Sequence, residues 1–127
     1  MEPDAQIDRI AYQTIGAALE VHRYLGPGFL EGIYEAALAI ELEKRHIAFQ
    51  RQVAIGIQYK GVKIGGSRLD LLIEKRLIVE LKAVESLLPI HKAQVLSYLK
   101  AVNEPLGLLI NFKVGVLRDG VQRVVLT

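Results

Sequence analysis

The sequence contains no cysteine, which excludes disulfide bonds, thiolate catalysis and cysteine-ligated zinc or iron–sulfur sites. It has no apolar run approaching the roughly 18–20 residues that a membrane-spanning helix requires. The first residues, Met-Glu-Pro-Asp, are acidic and no apolar signal core follows them. Internal repeats, low-complexity tracts and linkers are also missing. We therefore expect a cytoplasmic protein without a membrane partner.

The composition is that of one folded domain with an uneven distribution of charge. The 127 residues, 51% of them apolar and 24% charged, fit a single domain spanning 1–127. Residues 1–43 hold eight acids and two basic residues, whereas 44–127 hold 14 basic residues and six acids. A basic region of this kind suits a polyanion such as nucleic acid, although a solubilising surface has the same composition.

The hydrophobic pattern predicts an α/β fold with two helices before the first strand. Helices are predicted at 5–25, 29–45 and 89–102, and strands at 53–59, 62–64, 68–73, 77–82, 106–112, 114–117 and 121–126. Gly65-Gly66 indicates a bulge, and 118–120 indicates the turn of a C-terminal hairpin. The run at 106–112 is apolar throughout, which is typical of a central strand covered on both faces. We expect a mixed sheet flanked by helices.

The strongest chemical signal is a pair of acids in the hairpin predicted around Lys75. In that hairpin Asp70 lies opposite Glu80, and Arg68 lies opposite Lys82, all on one face. Opposed Cβ atoms of an antiparallel pair are about 4.5–5.5 Å apart, so the two carboxylates repel each other. Three arrangements compensate this repulsion: a bound divalent cation, a salt bridge to Lys82 or Arg68, or a proton shared between the carboxylates.

Lys82 favours the metal among these alternatives. It follows Glu80 by two residues and so places an ammonium beside any cation that Asp70 and Glu80 hold. A metal that activates water, together with a fixed positive charge that stabilises a phosphate, forms the set of groups that phosphodiester hydrolysis needs. The string D…E-x-K alone is common by chance, and its value here depends on the hairpin register.

Polar side chains on the predicted third helix face the same region. His91, Gln94 and Tyr98 follow an i, i+3, i+7 spacing and share one helical face. Gln94 is placed to orient water or a phosphate, and His91 to bind DNA or act as a secondary acid or base. An exposed polar stripe explains the same spacing without function.

Glu31 is the third candidate metal ligand. It lies in the first turn of the second predicted helix, where the helix dipole favours an acid whatever its role. It also shares a stripe with Leu38 and Leu42, which we expect to face the core. A carboxylate on that stripe is suited to bind the metal directly or through water.

These residues together resemble the small bacterial GxxExxY proteins over nearly the whole chain. The motifs are Gly28-x-x-Glu31-x-x-Tyr34, Arg51-Gln52-Val53, Tyr59-Lys60-Gly61, Asp70-Leu71-Leu72, 78–84 (IVELKAV), His91-x-x-Gln94-x-x-x-Tyr98 and 107–112 (GLLINF). That family is grouped with the PD-(D/E)XK nucleases, which include restriction endonucleases and RecB-type nuclease domains.

The resemblance implies a restriction-endonuclease-like αβββαβ core, a Mg²⁺ or Mn²⁺ site and DNA phosphodiester hydrolysis. Asp70, Glu80 and Lys82 match the D…(D/E)-x-K motif, Glu31 matches the helical acid that completes the metal site, and Gln94 resembles the glutamine of RecB-like members. The predicted catalytic residues are therefore Asp70, Glu80, Lys82 and Gln94. The predicted metal ligands are Asp70, Glu80 and Glu31. Candidate nucleic-acid contacts are Lys44, Arg45, Arg51, Arg68, His91, Lys92 and Tyr98.

Two other classes of function remain open at this point. One is a non-catalytic nucleic-acid-binding domain on the same fold, and the other is an interaction module of the toxin–antitoxin type. The apolar C-terminal hairpin also leads to the hypothesis of a homodimer, because an exposed apolar sheet edge favours pairing with another strand.

Overall fold

The computed structural model describes residues 1–127 and contains a five-stranded mixed sheet with helices on both faces. The elements are α1 (Ala5–Leu25), α2 (Glu31–Lys44), β1 (Phe49–Tyr59), β2 (Val62–Ile73), β3 (Leu77–Lys82), α3 (Pro89–Val102), β4 (Leu106–Asn111), a short 3-10 helix (Leu117–Gly120) and β5 (Val121–Val125). The strand order is β1-β2-β3-β4-β5. Only β3 and β4 are parallel, with α3 as their crossover connection. The predicted α/β fold with an αβββαβ core is confirmed.

The first two helices are positioned by caps and by one buried tyrosine. Asp4 caps α1, since its side chain accepts the Ile7 N–H at 2.9 Å, and α1 ends before Gly26, whose φ is +73°. The Tyr34 hydroxyl donates to the Gly26 carbonyl and accepts the Phe29 N–H. The ring of Tyr34 is fully buried and stacks on Phe112, as expected of a packing residue. No helix combines the length and the apolar character needed to cross a membrane.

Each face of the sheet has its own hydrophobic core. The larger core lies under α1 and α2, and the smaller one lies under α3. In the smaller core α3 approaches β4 so closely that a Cβ at Gly107 would lie 2.9 Å from Val95 Cγ1. A contact of that length is not tolerated between carbon atoms, so the distance between α3 and the sheet depends on glycine at this position.

The β1–β2 hairpin changes direction opposite Asp70. Leu69 belongs to the core under α3, whereas Leu71, two residues further along the same strand, belongs to the core under α1 and α2. Residues two apart in a regular strand share a face, so the alternation is interrupted between them. Gln52 lies opposite this point and has a φ of +51°, which is uncommon outside glycine. The kink separates an inner half of the hairpin from an outer half.

The C-terminus differs from the sequence prediction in one element. The strand predicted at 114–117 is wrong: residues 114–116 form bends, and Leu117 begins the 3-10 helix. β5 instead pairs antiparallel with β4, from Leu106–Val125 to Ile110–Val121. β4 is buried on both faces. Pairing with β4 therefore stabilises β5 more than pairing with the short apolar segment at 114–117 would. The predicted bulge lies one residue early, at Ile64, where the register between β1 and β2 shifts.

Candidate active site

The two predicted metal-binding carboxylates lie where the β2–β3 ladder ends. The last paired residues are Leu71 and Val79, in the register that the sequence predicted. At the next position the Asp70 N–H donates to a Glu80 carboxylate oxygen at 2.8 Å. In return, the Leu81 N–H donates to an Asp70 carboxylate oxygen at 2.9 Å. Each carboxylate thus bonds to the backbone of the opposite strand, which holds the two side chains together.

Both carboxyl groups are shifted toward their neutral forms. Glu80 is 4% exposed, and its burial, followed by the negative charge of Asp70, raises its pKa to about 8. Burial also raises the pKa of Asp70, against the opposing effect of the hydrogen bond from Leu81. These directions follow from removing two neighbouring acids from water. The pair therefore favours a cation or a proton between its oxygen atoms.

No salt bridge relieves this repulsion. The seven ion pairs of the structure involve neither Asp70 nor Glu80. Lys82 lines the same cavity, and its charge lowers the pKa of both acids without direct contact. Arg68 donates instead to the Gln52 carbonyl oxygen at 3.2 Å. The salt-bridge alternative raised by the sequence is thus not formed, which leaves a metal ion or a proton.

The carboxylates open into a cavity of about 380 Å³ between α2 and α3. Its lining comprises Glu31, Gly32, Glu35, Gln52, Arg68, Asp70, Glu80, Leu81, Lys82, Gln94 and Tyr98. All four predicted catalytic residues and all three predicted metal ligands therefore meet in one place. The charged and amide side chains among them suit a polar, anionic ligand rather than an apolar one.

Glu31 reaches the cavity in a different way from the one expected. It is exposed, whereas Leu38 and Leu42 of the same helix are buried, so it does not face the core. As the first residue of α2 it lies at the open end of the cavity, beyond the part of the helix that packs on the sheet. Its negative charge still contributes to the raised pKa of Glu80.

The three polar residues of α3 divide into two groups. Gln94 and Tyr98 line the cavity, and the Tyr98 hydroxyl accepts a hydrogen bond from Ser67 at 2.9 Å. His91 does not line it: its Nδ1 accepts the Leu88 N–H at 2.9 Å and caps the first turn of α3. This side chain thus satisfies an N–H that helix geometry leaves free.

Most of the predicted nucleic-acid contacts lie outside the cavity. Lys44 and Arg45 lie at the far end of α2, about 20 Å from Glu31 by helix length, and Arg45 pairs with Glu41. Arg51 pairs with Glu35, a lining residue, at 3.1 Å. Lys92 is exposed on α3 outside the lining. Arg68 and Tyr98 are the two members of the predicted set that the cavity contains.

Two lining residues with polar side chains, Glu35 and Gln52, had no predicted role. Glu35 lies one turn after Glu31 and accepts hydrogen bonds from Arg51 and from the Gln52 amide. Gln52 occupies the kink opposite Asp70 and helps to lower the pKa of that acid. The i, i+4 spacing of Glu31 and Glu35 is a usable signal for the first of these. The positive φ of Gln52 has no signature in the sequence.

The donor set matches a hard divalent cation. Mg²⁺ takes one or two protein carboxylates and completes its shell with water and phosphate oxygens. Asp70 and Glu80 offer such a pair, already adjacent and without a counter-ion. Glu31 lines the same cavity but does not join them in a three-ligand group, since no group of three His, Cys, Asp or Glu side chains is placed to hold a metal ion. The residues present therefore fit an open magnesium-type site, in which other ligands come from solvent or substrate.

Comparison with known proteins assigns the chain to one family. The family model of the PD-(D/E)XK nuclease superfamily matches residues 8–124. The matched range includes every residue of the cavity. The chain therefore belongs to the PD-(D/E)XK nuclease superfamily. No curated protein and no solved structure matches the chain.

Proposed function

We propose that this protein is a divalent-metal-dependent nuclease that hydrolyses phosphodiester bonds in DNA. The observation that carries the proposal is the pair of buried Glu80 and half-buried Asp70, which are hydrogen-bonded to each other's strands, lack a salt bridge and share a cavity with Lys82. Membership of the PD-(D/E)XK nuclease superfamily supports a nuclease-type activity.

Five residues of the cavity have proposed roles in this reaction. Asp70 and Glu80 hold Mg²⁺ or Mn²⁺, and Glu31 assists from the open end, directly or through water. The metal, when bound, lowers the pKa of a water molecule and acts as a Lewis acid on the phosphate. Lys82 stabilises negative charge that develops on the reacting phosphate. Gln94 orients water or a phosphate oxygen from α3.

A cleavage assay tests this function. Wild type, Asp70→Asn and Glu80→Gln are incubated with plasmid DNA, linear duplex, single-stranded DNA and RNA, in Mg²⁺, Mn²⁺ or EDTA. We expect cleavage of DNA by wild type in the presence of either metal, and loss of it in EDTA and in both variants. Glu43→Gln is the matched control, since Glu43 is an exposed acid of α2 outside the cavity. Absence of cleavage on all substrates, or full activity of Asp70→Asn, contradicts the proposal.

A second candidate is a nucleic-acid-binding domain without catalysis. The raised pKa of Glu80, about 8, favours it because a proton alone then relieves the carboxylate pair near neutral pH. Thermal unfolding with Mn²⁺ separates the two candidates. A ligand at a hundredfold excess over its Kd stabilises the folded state by about 2.7 kcal/mol. The nuclease predicts this stabilisation for wild type and not for Asp70→Asn, whereas the binding domain predicts it for neither.

Three finer assignments stay predictions. The GxxExxY resemblance depends on Gly28, Glu31 and Tyr34, and the cytoplasmic location on composition. The third is the homodimer, for which β5, one of the two strands of the predicted hairpin, offers an edge because it is a terminal strand of the sheet. Light scattering coupled to gel filtration measures the mass of the particle and tests self-association.

A further inference from the structure

The outer half of the β1–β2 hairpin, residues 54–68, projects beyond the kink and is called the arm here. Its pairs run from Ala54–Arg68 to Tyr59–Val62, so the two strands remain joined to the tip. The tip is a two-residue turn at Lys60-Gly61, where φ is +50° and +82°. Turns with two positive φ values match the twist of a hairpin and keep it straight.

All the charge on the arm is positive. Lys60, Lys63 and Arg68 are its charged residues, and no acid lies between Glu43 and Asp70. None of the three forms an ion pair. By contrast, Arg51, just before the kink, is neutralised by Glu35. The arm thus presents unpaired cations, whereas the basic residue at its base is already paired.

Two of these cations, Lys63 and Arg68, continue the active-site cavity along the hairpin. Lys63 and Arg68 line one open cavity of about 450 Å³ on the arm, and Arg68 also lines the carboxylate cavity. The floor between the two cations contains the cross-strand pair Gly56–Gly66, so no side chain blocks the way from one to the other. A negatively charged chain can therefore follow the arm from the carboxylates toward its tip.

We propose that the arm binds the nucleic-acid strand flanking the reacting phosphate, through Arg68, Lys63 and Lys60. Arg68 pairs with Ala54 and Lys63 with Gln58, so with the bulge at Ile64 the two cations are four ladder positions apart. That is about 13 Å along a strand, which matches the rise of about four nucleotides in one strand of B-DNA. A row of cations contacting phosphates gives affinity without sequence preference. The proposal rests on the proposed function, since it assumes a phosphate at Asp70 and Glu80.

Nucleic acid fits the arm better than an acidic protein or an anionic membrane does. The row is continuous with a cavity built for a phosphodiester, and repeated phosphates are the feature that a strand supplies on both sides of a reacting bond. Two exposed apolar side chains, Tyr59 at 61% and Ile64 at 66% exposure, are next in sequence to Lys60 and Lys63. The ammonium of Lys60 lies 5.4 Å from the centre of the Tyr59 ring.

The test measures how binding depends on salt. Fluorescence anisotropy follows a labelled oligonucleotide of about 20 nucleotides, longer than the arm, in EDTA so that no cleavage occurs. We compare wild type, Lys60→Gln/Lys63→Gln and a charge-matched control, Lys75→Gln/Arg118→Gln, with circular dichroism to verify folding. Both control residues are exposed, unpaired and outside the arm.

Loss of two phosphate contacts makes the negative slope of log K against log salt shallower by about 1.4–1.8. It also weakens binding about tenfold near 0.15 M salt. We expect this in the arm variant and not in the control. Equal slopes in the two variants, or binding to anionic vesicles that the arm variant loses while oligonucleotide binding persists, overturn the proposal.

Failure of the proposed function is recognised separately. Hydrolysis of a minimal diester, bis(p-nitrophenyl) phosphate, by wild type and Asp70→Asn in Mn²⁺ tests the carboxylate site without the arm. If wild type hydrolyses this diester but the arm variant behaves like its control, the nuclease stands and the arm proposal falls. If no diester is hydrolysed, the proposed function falls, and the arm loses its role beside a reacting phosphate whatever its slope.

Discussion

The inner and outer halves of one hairpin have opposite relations to the rest of the molecule. On the inner half, Leu71 and Ile73 are fully buried, and helices cover both faces. On the outer half, Val62 and Ile64 are 64% and 66% exposed. The same pair of strands is therefore held by a hydrophobic core at one end and by cross-strand hydrogen bonds and a turn at the other.

This difference separates two kinds of positive charge. Lys82, in the strand paired with the inner half, is partly buried beside two acids whose pKa values it lowers. Lys63, on the outer half, is exposed and meets no acid. A charge in a low-dielectric site interacts strongly with the groups beside it. The interactions of an exposed charge are weaker and are screened by salt. The inner half is thus suited to chemistry and the outer half to holding a long substrate.

The largest expected contrast is in stability. Leu71→Ala removes a fully buried side chain and lowers the free energy of unfolding by about 2–5 kcal/mol, because a cavity is added to the lost transfer energy. Ile64→Ala, on the exposed arm, changes it by about 0.5 kcal/mol or less. Urea denaturation of both variants measures these values. Similar losses in the two variants contradict the division of the hairpin.

The second contrast concerns pH in metal-free protein. The folded-state pKa of Glu80 is about 8, above its ordinary value of 4.5, so the folded state binds more protons than the unfolded state between these values. The free energy of unfolding therefore falls as pH rises from about 4.5 to about 8, by on the order of a few kcal/mol, and then levels off. Denaturation in EDTA across this range measures it.

Glu80→Gln provides the control for that pH dependence. The amide cannot ionise, so we expect a flatter profile and higher stability than wild type at pH 8–9. A substitution on the outer half, such as Lys63→Gln, leaves the slope in place. A wild-type profile that rises between pH 5 and 8 contradicts the raised pKa of Glu80.

The third contrast is kinetic and applies once cleavage is established. Lys82→Gln lowers kcat by about 100-fold, because it removes a charge that acts on the transition state in a partly buried site. Lys63→Gln acts on KM, because the arm binds substrate and transition state alike. Steady-state rates over a range of DNA concentrations separate the two parameters. An effect of Lys82→Gln confined to KM argues against its placement beside the reacting phosphate.

The smallest contrast lies within the arm itself. Gly61 has a φ of +82°, so Gly61→Ala introduces strain and costs about 1 kcal/mol. Gly65 has ordinary φ and open space around its Cα, so Gly65→Ala costs less. Thermal unfolding of the two variants makes the comparison. Equal melting temperatures indicate that the turn does not hold the arm.

Local patterns in the sequence carried most of the fold and the centre of the site. Pro89 marked the start of α3, and the break at 25–28 separated α1 from α2. The register around Lys75 brought Asp70 and Glu80 together because a hairpin turn fixes pairing without information from elsewhere in the chain. Family resemblance supported the same residues.

Contacts between residues that are far apart in the sequence could not be predicted from local patterns. The sequence pattern does not show which strand has a free edge beside β5. The segment at 114–117 was therefore assigned as its partner strand, whereas the partner is β4. The distance between Arg45 and the cavity depends on where α2 ends, although its charge was visible. His91 was correctly placed on the polar face of α3, yet its Nδ1 accepts the Leu88 N–H and caps the helix. In these cases the residue type indicated the chemistry of the side chain, whereas the fold determined its position.

The glycine at position 107 has a consequence for the mouth of the cavity. Val95, which touches the place where a side chain at 107 would be, is next in sequence to Gln94 on the rim. α3 therefore packs closely on the sheet at Gly107, where there is no side chain. A side chain at position 107 would require Val95 or the helix itself to shift, and a shift of the helix would carry Gln94 and Tyr98 with it. Residue 107 can therefore affect the width of the cavity mouth although it does not line the cavity.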